Sequence, residues 1–341
     1  MIIMLLHGVL MSYVDKADRP ALLRSTATAL LRSNFAVGAA IMVLLLIVGG
    51  MMIPGFLMPR NLLAIGALGM LVTIAALGQT FVVISGDGGI DLSVGAIMSF
   101  STVLGAMIIS GQDQYLLPGV IAACLAGAAL GFVNALGIWY LRIPALIMTL
   151  GLAGIVAGLS IVITHGQPSG SSGPFLAFLA SGTLLGVPML IIVGVLAAIG
   201  AEFVLQRTGF GRMLFLVGAN PPAADVARIP RNLIVFATYT LSGALSGFAG
   251  LMLLGYTQTP YLKGGEDYML SSIAAVVVGG ISLKGGQGSV GNTILGAFVL
   301  TVIGSILVGL HVAQGGREII DGIILLCVLA LYAVRGRRQV R

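Results

Sequence analysis

Apolar residues in this chain do not alternate with polar ones; they run on for about twenty positions at a time, broken by short polar, glycine-rich segments. Twenty residues at 1.5 Å each match a bilayer hydrocarbon core of roughly 30 Å. Such runs fall near residues 34–53, 62–84, 92–110, 118–141, 144–164, 187–206, 233–256, 268–283, 290–310 and 319–334. Within lipid every backbone polar group needs an internal partner, and continuous rather than alternating runs supply it as helices. The pattern predicts an all-α integral membrane protein with about ten transmembrane helices. The runs at 268–283 and 319–334 are short for a full crossing, which predicts that they are kinked or sunk in protein.

Composition agrees. The chain is 58% hydrophobic and 8% charged, against roughly 25% charged residues in soluble domains. The net charge of +6 informs through its distribution. With both termini cytoplasmic, the inside segments hold Lys16, Arg19, Arg24, Arg32, Arg142, Arg207, Arg212, Arg228, Arg231, Lys284, Arg335, Arg337, Arg338 and Arg341, and the outside keeps Arg60, Lys263 and Arg317. Basic residues resist translocation, so this asymmetry sets the orientation and leaves no basic surface to assign to nucleic acid. The expected organisation is a cytoplasmic N-terminal segment over 1–33, a transmembrane domain over 34–334 with its largest inside loop at 207–232, and a basic cytoplasmic tail over 335–341. The opening "MIIMLLHGVL" has no basic n-region and no small-residue cleavage site after it. It does not read as a signal peptide; Met11 is an equally plausible start, which an intact Met1 in mass spectrometry would reject.

Metal and catalytic chemistry find little support. Cys124 and Cys327 sit in apolar runs, and His7, His165 and His311 have no ligand spacing. Neither Lys263 nor Lys284 completes a Gly-x-x-x-x-Gly-Lys phosphate loop. The chain is therefore not expected to be an enzyme or to hold a cofactor. Pairs of glycines four apart, at 127/131, 154/158 and 243/247, read as helix-packing positions.

The stretch "GDGGIDLSVGA" at 86–96 puts Asp87 and Asp91 among glycines between two apolar runs. Asp91 suits an N-cap in a cytoplasmic turn. The alternative is a helix broken within the membrane, with Asp91 or Ser93 lining a polar path. "GGIDLSVGA" is similar to the signature of the permease subunits of bacterial ribose-type ABC importers. "GFVNALGIWYLRIPALIMTLGLAGIVAGLSIVITHGQP" (131–168) and "IAAVVVGGISLKGGQGSVGNTILGA" (273–297) resemble further segments of that family in order. Ala135, Ala145 and Ile281 depart from the family pattern. As candidates for a substrate pathway we take Gln79, Asp91, Ser93, Asn134 and Thr149, polar residues in or beside apolar runs; each could equally be a helix-to-helix hydrogen bond.

In the loop at 207–232, Asn220 before Pro221 is a helix-start signal and Pro230 a stop, predicting a short helix over 221–229. The resemblance implies that this is a coupling helix docking on an ATPase, with Gly218, Asn220, Ala223, Ala224 and Ile229 matching the family pattern and Arg228 beside them. Asp225 stands where the family has arginine, and Pro230 follows Ile229. The resemblance also implies two permease copies, identical or similar, cytoplasmic P-loop ATPase subunits that bind the ATP, a periplasmic binding protein, a sugar or polyol substrate and a place in the bacterial inner membrane lipid. The loop 165–186 is the expected surface for the binding protein, or else a flexible connector. The rival reading is an ion-driven secondary transporter using Glu202 or Asp321, acids within apolar runs that both look interfacial.

Overall fold

A computed structural model describes residues 34–338. The N-terminal segment 1–33 and residues 339–341 of the tail lie outside the described residues. Its long helices are α1 (Asn34–Met52), α2 (Pro59–Ile84), α4 (Leu116–Trp139), α5 (Ala145–Thr164), α7 (Met189–Arg207), α10 (Arg231–Thr257), α12 (Val290–Gly309) and α13 (Gln314–Arg338). All but α13 are long and apolar enough to cross a membrane, seven in total among the described residues. Shorter helices are α3 (Val94–Ile109), α6 (Pro174–Ser181), α8 (Gly209–Ala219), α9 (Pro221–Val226) and α11 (Glu266–Val278), with one turn of 3-10 helix at Asp113–Tyr115. A two-residue hairpin pairs β1 (Thr183–Leu184) with β2 (Val187–Pro188).

The bundle is organised around α2. It starts on Pro59, where a missing N–H costs nothing, and it is apolar on every side, so neighbours cover it all round: α7, α10, α11 and α12 pack against it. Across the α2–α12 contact the Thr80 and Thr293 hydroxyls pair at 2.6 Å.

Two helices fall short of a crossing. At about 1.5 Å per residue, α3 with 16 residues and α11 with 13 reach only about 24 and 20 Å. Their N-terminal ends meet inside the protein, where Gly265 N donates to Ser99 Oγ at 2.9 Å. A Cβ on Gly95 would stand 2.6 Å from the Gly265 carbonyl oxygen. The short run expected at 268–283 is thus a helix sunk in protein, with Ser272–Val277 buried. The run expected at 319–334 is longer than read: α13 spans Gln314–Arg338, and Arg317, Glu318 and Asp321 interrupt its apolar pattern without ending the helix. The loop 165–186, expected as a binding-protein surface or else a flexible connector, contains α6, whose Leu176 and Ala180 are buried.

The glycine pairs divide. Gly127 and Gly131 of α4 interlock with Gly243 and Gly247 of α10; a Cβ on any of them would collide with backbone of the facing helix. This is the close approach that small residues permit. Gly154 and Gly158, expected to pack likewise, have nothing within 4 Å, because α5 turns that face away from the bundle. Gly243→Val is accordingly expected to lower the melting temperature of the purified chain by several degrees, and Gly154→Val to leave it unchanged; equal melting of the two would refute this seam.

Candidate functional site

The loop from 85 to 93 leaves the end of α2 and folds back beside it. Asp87, at φ +51°, stands at the surface with its side chain 67% exposed. Asp91 is buried: its N–H donates to Gln79 Oε1 at 3.2 Å, five residues before the end of α2, so the chain re-enters by about 7 Å. The Asp91 side chain holds Ser93, the residue that precedes α3, and also ties the bundle. Oδ1 accepts from Ser93 N at 2.9 Å and Ser93 Oγ at 2.5 Å, and Oδ2 accepts from Ser242 Oγ of α10 at 2.8 Å. Asn134 Nδ2 of α4 donates to Ser93 Oγ at 2.8 Å, and the Leu92 N–H donates to Thr149 Oγ1 of α5 at 3.0 Å.

All five residues chosen from the sequence, Gln79, Asp91, Ser93, Asn134 and Thr149, therefore converge on one buried knot joining α2, α3, α4, α5 and α10. Two atoms in it, Gln79 Nε2 and Asn134 Oδ1, have no partner among the described residues. The N-cap expected at Asp91 falls instead on Ser93, the residue before α3; Asp91 holds that residue's N–H from inside the protein rather than from a surface turn. Ser242 was not legible as a member. Tyr239, one turn before it on α10, has a buried hydroxyl without a described partner. Tyr239 also lines a cavity of about 470 Å³ with Ser85, Asp87, Trp139, Arg142 and Arg231.

A second convergence sits at the end of α2. Gly86, Gly218 at the end of α8, and Gly285 and Gly286 of the loop 279–289 meet backbone to backbone. Gly286 N donates to the Ile84 carbonyl at 2.9 Å, and a Cβ on Gly218 would collide with that same oxygen. Three glycine-bearing segments, far apart in sequence, are thus locked at one point.

From this junction α9 projects. Asn220 caps it, accepting from Ala223 N at 3.1 Å, with prolines at its first positions. The helix expected over 221–229 ends at Val226: Ala227 is its C-cap, and Arg228 turns to φ +57°. The Ile229 N–H then bonds the Ala224 carbonyl at 3.0 Å, folding the chain under the helix. Ala224 is buried, so its side chain is not part of an outward surface, and the half-buried Ile229 packs against the same apolar cluster. Ala223, Ala227 and Arg228 are exposed, as is Val226 at 87%, which the sequence reading missed. Preceding α9, α8 was read as loop; it is an 11-residue helix capped by Thr208 and buried through Gly211, Leu214, Val217 and Gly218.

Of the two acids weighed for ion coupling, Glu202 is engaged: its Oε2 accepts from Val290 N at 2.8 Å, satisfying a free amide at the start of α12. Asp321 is half-buried and lines a cavity of about 80 Å³ with Ser271 and Thr301, between α2, α11, α12 and α13.

A family profile described as branched-chain amino acid transport system / permease component matches residues 61–329. The ribose import permease protein of Bacillus subtilis (strain 168) is 35% identical over 291 residues, 84% of this chain and 89% of that protein. An autoinducer 2 import system permease protein of Escherichia coli O157:H7 is 32% identical over 306 residues, 88% and 87% of the two chains. The L-arabinose ABC transporter permease protein of Azospirillum brasilense is 31% identical over 288 residues, 84% of each. No solved structure matches. The profile spans the knot, the glycine junction and α9 together, and with relatives of this identity and coverage the chain belongs to the permease family of ABC importers.

Proposed function

We propose that this protein is the membrane permease of an ATP-driven importer that carries a sugar or sugar-like polyol into a bacterial cytoplasm. The observation that carries the reading is α9: a short, capped helix rooted in backbone at the glycine junction, with Ala223 and Val226 offered outward. A rigid lever of this kind turns the movement of an attached ATPase into rocking of α7 and α10. In this reading α9 faces the cytoplasm, both termini lie on that side, the chain crosses the inner membrane ten times, with irregular backbone buried in protein completing the crossings of the short helices α3 and α11, and a second permease copy completes the pathway. Arg142 and Arg231 line one cavity near α9, and the Lys284 backbone sits at the glycine junction; that gathering of basic residues supports the orientation.

The sugar assignment rests on relatives named for ribose and L-arabinose, whereas the family description names branched-chain amino acids. In the knot, Gln79 Nε2 and Asn134 Oδ1 are a free donor and a free acceptor, the pair that a sugar hydroxyl satisfies. We assign Gln79, Asp91, Ser93, Asn134 and Thr149 to the substrate route, opened when α9 moves the bundle. On the opposite end, the hairpin tip presents Leu185 at 98% exposure, an apolar contact for a binding protein that delivers the substrate.

The test is uptake into liposomes holding the permease with its co-purified ATPase and binding protein, using labelled ribose, arabinose and leucine. ATP-dependent uptake of a sugar is expected. Uptake of leucine alone would overturn the substrate class, and uptake under an ion gradient without the ATPase would favour a route through Asp321. Ala223→Arg is expected to leave membrane levels normal and reduce uptake at least tenfold; normal uptake would remove α9 from the mechanism.

A further inference from the structure

Arg231, the first residue of α10, stands between two carboxylates that lie on different segments. Its Nη1 donates to Asp225 Oδ2 of α9 at 3.0 Å, and its Nη2 donates to Asp87 Oδ2 of the glycine-rich loop at 2.7 Å. The arginine is 22% exposed, while Asp87 and Asp225 are 67% and 58% exposed. Four residues beyond Asp87 the same loop carries Asp91 into the buried knot. A continuous polar line therefore runs from α9 through one guanidinium to the loop that organises α3.

We propose that Arg231 is a positioning residue that ties α9 to the glycine-rich loop, so that displacement of α9 by an ATPase is delivered to the segment 86–93. The proposal rests on the reading of α9 as the ATPase contact. Three features support it. A guanidinium offers N–H groups on two edges of a rigid plane and can hold two carboxylates at fixed separation, which a lysine ammonium does less well. Removing the cation leaves two like charges facing each other, so the loop is released and also repelled. Both carboxylates are largely exposed, and ion pairs to exposed groups add little to folding, so the link can be cut at the carboxylates without unfolding the chain. Coupling between sites, by contrast, needs only a modest free-energy difference between two states.

The experiment follows amide hydrogen exchange over residues 86–93 in the permease–ATPase complex in nanodiscs, with and without a non-hydrolysable ATP analogue. The parent chain is expected to show a nucleotide-dependent change there. In Arg231→Gln that change is expected to shrink about fivefold, at unchanged melting temperature and with nucleotide binding retained. Arg231→Lys is expected to fall between. Asp225→Asn is expected to reduce the response in the parent background and to add nothing in Arg231→Gln, because both remove the same link. An unchanged response in Arg231→Gln, a parent without any response at 86–93, or additive losses would each overturn the proposal. Should Arg231→Gln fail to fold, Asp87→Asn and Asp225→Asn, both at exposed positions, carry the same test. Ala223→Arg separates the two layers: if it leaves the response intact, α9 is not the ATPase contact; if it abolishes the response while Arg231→Gln does not, only the arginine link falls.

Discussion

Gly218→Ala is expected to reduce uptake more than tenfold and to lower the melting temperature of the purified permease by several degrees. The demand at this position is for space. A methyl group there would collide with the Ile84 carbonyl oxygen and stand 2.6 Å from Gly286 N, the two atoms that share a hydrogen bond at 2.9 Å. Both obstacles are backbone, so no side chain can swing away to make room. Overpacking of this kind costs about 1–3 kcal/mol. Its functional cost is larger, because the displaced atoms belong to the point at which α2, the loop 279–289 and the base of α9 are held together. Gly209→Ala, at the other end of α8 with nothing within 4 Å, is the matched control and should behave as the parent chain. Equal melting and equal uptake of the two variants would show that the junction tolerates a side chain and does not transmit movement.

The long helices were legible because bilayer thickness dictates their length. The apolar runs read at 144–164 and 290–310 became α5 at Ala145–Thr164 and α12 at Val290–Gly309. α8 was not legible, since 11 residues with Arg212 among them do not make a crossing, and its buried positions emerge only once the end of α2 is there to receive them. Gln79, Asp91, Ser93, Asn134 and Thr149 could be picked out one by one because a polar group in an apolar run must find a partner or be strongly destabilising. That they would find one another depends on five helices converging, which no single run records. Ser242 escaped for the opposite reason: a serine in a helix can bond its own backbone and signals nothing. The division between Ala223 outward and Ala224 inward was equally hidden, because six residues are too few for a helical period to reveal a buried face.

The knot itself yields the second large effect. Asp91→Ala is expected to be the most destabilising single change at this site, since it strands three buried donors at once: Ser93 N, Ser93 Oγ and Ser242 Oγ. Each donor left without an acceptor costs about 1–3 kcal/mol. Neighbouring backbone carbonyls can rescue some of them within a helical bundle, so the total falls below the sum. Asp91→Asn separates shape from charge. Its remaining carbonyl oxygen can still accept from Ser93, and its amide can donate to the Ser242 hydroxyl, which changes from donor to acceptor. The expected order of thermal stability is parent, then Asn, then Ala, with ATP-dependent uptake lost in Ala. Ser242→Ala removes one donor and leaves Asp91 Oδ2 without it, while Oδ1 keeps both bonds from Ser93, and should cost less than Asp91→Ala. Were Asp91→Ala to melt with the parent chain and transport normally, Asp91 would be a bystander at the start of α3, and the buried line from α9 into the bundle would end at the loop surface.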